Sequence, residues 1–147
     1  MKLYVDADGS PIVNNAIKIA KEFNLDIIIV KNFAHVIHDD YAQIVSVDIS
    51  QDSADLYIVN HLSKGDIVVT QDYGLATLSL AKNAYVIDQN GLTFTEKNID
   101  NMLNQRHIHA KLRRQGKHHS KIKKRNSDSD KAFESRLKEL ISNMKNQ

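Results

Sequence analysis

Leu3-Tyr4-Val5-Asp6-Ala7-Asp8-Gly9-Ser10-Pro11 is a short apolar run that stops at two carboxylates and is followed at once by a capping residue and a proline. It reads as a buried strand that delivers two acids to its carboxyl end, with a helix starting directly behind them. The Ser10 hydroxyl can accept a hydrogen bond from a free helix amide, and Pro11 suits a first helical position, where no amide hydrogen is needed. Asp6 and Asp8 are two residues apart, so an extended backbone points both carboxylates to the same side. Like charges that close are unfavourable unless a cation lies between them or a proton is shared. Hard divalent ions such as magnesium prefer oxygen ligands of this kind. An Asp-x-Asp pair can equally do no more than neutralise a helix N-terminus, so the remaining chain has to decide.

The same pattern recurs downstream. Apolar residues at Val13, Ala16, Ile17, Ala20 and Phe23 fall on one helical face, and the isoleucine run from Asp26 to Val30 suits a strand buried on both sides. Strand, helix, strand is a parallel βαβ unit. Residues 31–42 show no clean period and read as a loop or short helical connection; His35 and His38, three apart, have no third ligand fixed in sequence. Gln43 to Val47 alternates as an edge strand does. Asp52 is a natural N-cap for a helix running to about Ser63, with Asp55 in its first turn. Asp66 to Thr70 is a fourth strand that again ends on an acid, Asp72, before a helix to about Lys82. Ala84 to Ile87 makes a fifth strand, Asn90-Gly91 a turn, and Thr95 caps a helix to about Asn104.

The 147 residues, 41% hydrophobic and 26% charged, are enough for one domain with a core and a tail. With no cysteine, disulfides, thiolate nucleophiles and cysteine-bound zinc are excluded, so any metal has to use Asp, Glu or His. No segment approaches the ~20 apolar residues that span a bilayer, and the expectation is a cytoplasmic protein without membrane contact. Charge is divided along the chain. Residues 1–104 carry 7 Lys/Arg against 14 Asp/Glu, a net of −7, whereas residues 105–147 carry 13 against 4, a net of +9. This divides the chain into an α/β domain at 1–104 and a basic, mainly helical extension at 105–147. The last helix, opened by Ser127-Asp128-Ser129-Asp130, has Phe133, Leu137, Leu140, Ile141 and Met144 on one stripe, to be buried on the body or in a homodimer with a second copy.

In an open, mostly parallel α/β sheet of about five strands flanked by helices, strand carboxyl ends and helix N-termini share one edge. Asp6, Asp8, Asp52, Asp55 and Asp72 then face one crevice. No Lys or Arg is placed in sequence to pair with them, so a divalent metal is the direct resolution of their repulsion. The arrangement Val5-Asp6-Ala7-Asp8, Asp52-Ser53-Ala54-Asp55 and Val69-Thr70-Gln71-Asp72-Tyr73-Gly74-Leu75-Ala76 resembles the acidic signature of PIN-like nucleases. More closely, the chain resembles the YaiI/YqxD family of uncharacterised bacterial proteins. That family carries Asp-Ala-Asp-Ala-Cys-Pro, an Asp-x-Ala-Asp helix start, Gly-Asp-hydrophobic-Val-hydrophobic-Thr-x-Asp and a later Thr-Glu-x-Asn-Ile, matched here by Thr95-Glu96-Lys97-Asn98-Ile99. The likeness spans roughly the whole chain and implies a PIN-like fold. Ser10 stands where the family has cysteine, and Lys117-His118-His119-Ser120-Lys121-Ile122-Lys123-Lys124-Arg125 replaces a Gly/Pro-rich tract.

Three functions fit these residues. The first is a metal-dependent phosphodiesterase, a nuclease with RNA as its expected substrate, using Mg²⁺ or Mn²⁺. Asp6 and Asp72 are then the direct ligands, Asp8 and Asp55 further ligands or water positioners, and Asp52, Ser10 and Thr70 accessories. The second is a non-catalytic nucleic-acid or ribosome-associated binding protein. From Arg106 to Arg125 there are nine Lys/Arg and no acid, the footprint of phosphate contact by Arg106, Lys111, Arg113, Arg114, Lys117, Lys121, Lys123, Lys124 and Arg125. The third is a haloacid-dehalogenase-like phosphatase with Asp6 as nucleophile, suggested by Asp6-Ala7-Asp8-Gly9-Ser10. It lacks both the further acidic pair at the fourth strand and a lysine electrophile.

Overall fold

The computed structural model describes residues 1–8, 10–33, 36–50, 53–114 and 125–146, the side chains at 106, 107, 109 and 113 excepted. The elements run β1 (Lys2–Asp6), α1 (Val13–Glu22), β2 (Asp26–Asn32), β3 (Gln43–Val47), α2 (Ser53–His61), β4 (Ile67–Val69), α3 (Tyr73–Ala81), β5 (Tyr85–Ile87), β6 (Thr93–Phe94), α4 (Glu96–Arg114) and α5 (Ser127–Lys145). The strands form one six-stranded sheet in the order β3-β2-β1-β4-β5-β6. Every pair is parallel except β5 with β6. The architecture is therefore α/β with a mostly parallel sheet, as the sequence pattern predicts.

Alternation along the strands divides the apolar residues between two cores. Leu3, Val5, Ile27, Ile29, Ile67, Val69 and Ile87 pack under α1 and α5. Tyr4, Ile28, Val30, Val68 and Val86 pack under α2, α3 and α4. This explains why the central strands read as unbroken apolar runs: both faces are covered. The alternation also sends Asp6 and Thr70, the residues just past those runs, toward the α2–α3 side.

The structure corrects several expectations. Ser10 and Pro11 do not begin α1. The Ser10 amide instead donates to the Ala7 carbonyl at 3.0 Å in a turn, and the helix starts at Val13 with Ile12 at the cap position and no side-chain cap. A sixth strand, β6, was not foreseen. The helix expected to end at about Asn104 is α4, and it continues to Arg114. Thr95 does cap that helix, reciprocally with Asn98: the Asn98 amide donates to Thr95 Oγ1 at 3.1 Å and the Thr95 amide to Asn98 Oδ1 at 2.8 Å. Asn98 also donates to the Thr93 carbonyl, and Ile99 is buried, so Thr95-Glu96-Lys97-Asn98-Ile99 joins β6 to α4.

The stripe on the last helix is buried on the body of the same chain. Phe133, Leu137 and Ile141 are fully buried in the core that holds Leu3, Val5 and Ile12, so a dimer has to use another surface. Arg125 fastens the helix start. Its guanidinium donates to Asp130 Oδ1 at 2.8 Å, Asn90 Oδ1 at 2.9 Å and the Gln89 carbonyl at 2.6 Å. The turn it grips approaches α5 so closely that a Cβ on Gly91 would lie 2.6 Å from the Ala132 carbonyl oxygen, and Gly91 has φ +88. Only glycine suits both conditions.

Candidate functional site

β1 and β4 are neighbours, in register Leu3↔Ile67 to Val5↔Val69, and the chain winds outward from them in both directions. The gap beyond their carboxyl ends is the switch point at which open α/β sheets bind ligands. A crevice of about 310 Å³ lies there, lined by Asp6, Asp8, Asp48, Ser50, Ala54, Asp55, Gln71 and Asp72. Of the five acids expected to face one crevice, Asp6, Asp8, Asp55 and Asp72 line this one. Asp52 lies outside the described residues. Asp48 was missed as a site residue; its only signal was its place directly after β3, the same strand-end position that singled out Asp6 and Asp72.

Each acid is held differently. Asp6 Oδ2 accepts from Thr70 Oγ1 at 3.0 Å, and Thr70 Oγ1 in turn accepts from the Asp72 amide at 3.0 Å. Thr70, itself buried, therefore ties the ends of β1 and β4 together and fixes the spacing of their acids. Asp72 caps α3, its Oδ1 accepting from the Gly74 amide at 2.7 Å and the Leu75 amide at 3.1 Å. A Cβ on Gly74 would stand 3.1 Å from that oxygen, so glycine makes room for the cap. Asp8 Oδ1 accepts from the Asn32 amide at 3.1 Å, binding the β1 exit to the end of β2. Asp55 lies half-buried in the first turn of α2. Ser10 lines a smaller recess with Asp6, Asp8 and Thr70.

The electrostatic consequence falls on Asp6. Burial pushes its carboxyl up to about 6, with the charges of Asp8 and Asp72 adding to the rise and the Thr70 hydrogen bond opposing it. A carboxylate raised by burial and by two like charges gains from any cation placed in the crevice. All the donors are oxygen, which suits a hard divalent ion in chemistry. Among the described residues, no three or more His, Asp or Glu are grouped closely enough to hold a metal ion.

Asp88, at the end of β5 on the same edge, is no part of this crevice. Its carboxyl accepts from the Asn90 and Leu92 amides, each at 2.8 Å, and builds the turn that meets α5.

The predicted phosphate contacts divide in the same way. Lys111 and Arg114 are exposed on the second half of α4. Arg106 and Arg113 are in that helix with their side chains outside the described set, and Lys117, Lys121, Lys123 and Lys124 lie outside the described residues. Arg125 is committed to the α5 clasp. No helix among the described residues is long and apolar enough to cross a membrane.

Fold and site together define an α/β protein whose mostly parallel sheet winds both ways from an acid-lined crevice. The chain belongs to the YaiI/YqxD family: a family model described as "Uncharacterized BCR, YaiI/YqxD family" matches residues 4–143. Among similar proteins, the UPF0178 protein of Alkaliphilus oremlandii is 49% identical over 134 residues, covering 91% of this chain and 86% of its own. The UPF0178 protein of Natranaerobius thermophilus is 46% identical over 145 residues and 99% of each chain. That of Ruminiclostridium cellulolyticum is 41% identical over 137 residues, 93% of this chain and 90% of its own. No solved structure matches the chain.

Proposed function

We propose that the protein is a metal-dependent phosphodiesterase acting on nucleic acid, RNA foremost. Asp6, Asp8, Asp55 and Asp72 would close in on Mg²⁺ or Mn²⁺ at the strand ends, since no three of them stand close enough together to share an ion as they are. The observation that carries this reading is Asp6: its carboxyl, raised to about 6 by burial and by Asp8 and Asp72, lies in a crevice whose described lining includes five aspartates and no Lys or Arg. When bound, such an ion lowers the pKa of attacking water and stabilises the leaving oxygen. The chain's own residues supply the frame. Thr70 holds Asp6 against the start of α3, Asp72 keeps one carboxylate oxygen on the helix cap, and Asn32 orients Asp8. The exposed Lys111 and Arg114 of α4 offer phosphate contacts. The absence of lysine from that described lining favours this reading over the haloacid-dehalogenase-like one.

The test is cleavage of mixed RNA and single-stranded DNA with Mn²⁺, comparing the unmutated protein with Asp6→Asn and Asp55→Asn. Loss of cleavage in both variants supports the reading. Equal cleavage in all three marks a contaminant and defeats it, and no cleavage by the unmutated protein leaves the non-catalytic binding protein. In parallel, Mg²⁺ or Mn²⁺ is expected to raise the melting temperature of the unmutated protein, because a ligand of the folded state alone stabilises it by mass action. The rise is expected to vanish in Asp6→Asn with Asp72→Asn.

A further inference from the structure

The two edges of the sheet differ. β6, at one edge, is two residues long and passes almost at once into α4. β3, at the other, is the five residues Gln43-Ile44-Val45-Ser46-Val47, paired with β2 alone in unbroken register from Ile28↔Gln43 to Asn32↔Val47. It has none of the devices that blunt an edge: no charged residue, no proline and no bulge. Gln43 and Ser46 are exposed, and Ile44, Val45 and Val47 are half-buried.

The register fixes which backbone groups of β3 face outward. The Ala7 amide donates to the Val30 carbonyl at 2.9 Å, so the main chain of Val30 turns toward β1, and alternation turns that of Ile29 and Lys31 toward β3. Ile29 and Lys31 stand level with Ile44 and Ser46, and in a parallel ladder they bond to the residues on either side of those, Gln43, Val45 and Val47. The N–H and C=O groups of Ile44 and Ser46 therefore point away from the sheet, and no partner for them is found among the described residues. The open run stops at Ala42, whose amide is held by Asp39 Oδ2 at 2.8 Å.

We propose that β3 is the surface on which two copies of this chain pair, antiparallel about a two-fold axis at Val45, joining their sheets into one. Outward-facing Ile44 of each copy then meets outward-facing Ser46 of the other and exchanges both N–H···O bonds with it, while Val45 meets Val45 as the close, non-hydrogen-bonded pair. The charges beside the strand select this centre. With the axis at Val45, Asp40 lies level with Ser50 of the second copy, and Asp48 with Ala42. With the axis at Ile44, Asp40 and Asp48 would stand directly opposite, where like charges are destabilising. With the axis at Ser46, Asp48 would lie against the half-buried Ile44. The apolar residues agree. Tyr41, 36% exposed, and Ile49, 69% exposed, are each four residues from Val45, so the same axis brings Tyr41 of one copy toward Ile49 of the other. An edge of this length covers less than the about 800 Å² per partner of a stable interface, so the pairing depends on concentration.

Sedimentation velocity on the full chain, from micromolar to millimolar concentration, is expected to show a rising share of dimer. Ser46→Lys puts a charge on the exposed edge without touching the core, and is expected to raise the dimer dissociation constant roughly tenfold at an unchanged urea midpoint. Ser46→Pro removes an amide that faces away from β2, so it is expected to weaken the dimer while sparing the ladder within the sheet. The chain has no cysteine, so a single introduced thiol reports the register. Under mild oxidation Val45→Cys is expected to give a disulfide-linked dimer. Gln43→Cys, although more exposed, is not, because Gln43 meets Val47 of the second copy. A chain that is monomeric throughout overturns the proposal and leaves β3 to an extended segment of another protein. Association that Ser46→Lys leaves unchanged, or cross-linking equal at positions 43 and 45, overturns it as well and moves the contact to a different surface.

Discussion

β1 and β4 lie side by side, and an aspartate stands at each end of the pair in opposite circumstances. At the amino end Asp66 is 4% exposed, and its two carboxylate oxygens accept the amides of Lys2 at 2.9 Å and Ser63 at 2.8 Å. It joins the start of β1 to the approach to β4, and its role is structural. At the carboxyl end Asp6 is held by the Thr70 hydroxyl and the Asp8 backbone amide, yet burial and the charges of Asp8 and Asp72 outweigh both and push its carboxyl up to about 6. An acid whose burial is answered by backbone amides serves the fold. One whose burial is answered only in part, facing further acids across an open crevice, is of the kind that clusters at functional sites.

The largest effect expected from this contrast is at Asp66. Asp66→Ala leaves two backbone amides without their carboxylate, and hydrogen bonds to a charged group are worth about 1.5–3 kcal/mol each. A loss of about 3 kcal/mol is expected, read as a lower urea midpoint with the slope unchanged. A loss under about 1 kcal/mol would break the contrast at this end.

Next is Asp6, where the sign reverses. Its folded-state value of about 6 lies above the value of ~3.9 usual in an unfolded chain, so the folded state binds the extra proton between about pH 4 and 6. The metal-free protein therefore loses stability as pH rises through that window, by at most about 3 kcal/mol, and the cost is fully present above it. Asp6→Asn, measured without metal, is expected to be stabilising by about 1–2 kcal/mol at pH 8 and nearly neutral at pH 4. Destabilisation at pH 8 would show that Asp6 is as well satisfied as Asp66.

The smallest effect sharpens the division between fastening and binding among the basic residues. Arg125→Ala is expected to lower stability by about 1 kcal/mol, since its ion pair with Asp130 is partly solvent-exposed. It is expected to leave the salt dependence of single-strand binding unchanged. Lys111→Ala with Arg114→Ala should have the reverse profile, flattening the log–log salt slope by about 0.7 for each phosphate no longer neutralised. Binding titrations at several salt concentrations read both.

The strand-acid-helix punctuation made most of this fold legible, because apolar runs that end abruptly on aspartate mark strand ends whatever lies next to them. The neighbouring of β1 and β4, and with it the gathering of Asp6, Asp8, Asp55 and Asp72, was conditional on a pairing that no local pattern contains. Two-residue β6 is too short to show a period. Ser10 has the chemistry of a cap, but the turn closed by its own amide carries the chain two residues further before α1 begins. The rise in basic residues after 104 suggested a boundary, although Lys, Arg, Ala and Leu are good helix formers and α4 simply continues. Arg125 looked like one basic residue in a run of them; only the structure shows its guanidinium closed on Gln89, Asn90 and Asp130.

The packing of α5 on α1 has a consequence for how the chain is made. Phe133, Leu137 and Ile141 share a core with Leu3, Val5 and Ile12, so the first strand emerges from synthesis more than a hundred residues before its covering helix. Burying three such side chains contributes about 6 kcal/mol, comparable to the whole net stability of an ordinary domain. A product that stops short of residue 133 leaves that face of the sheet in water, exposed to proteases and chaperones. The core beneath the crevice thus closes only once the last helix has been made.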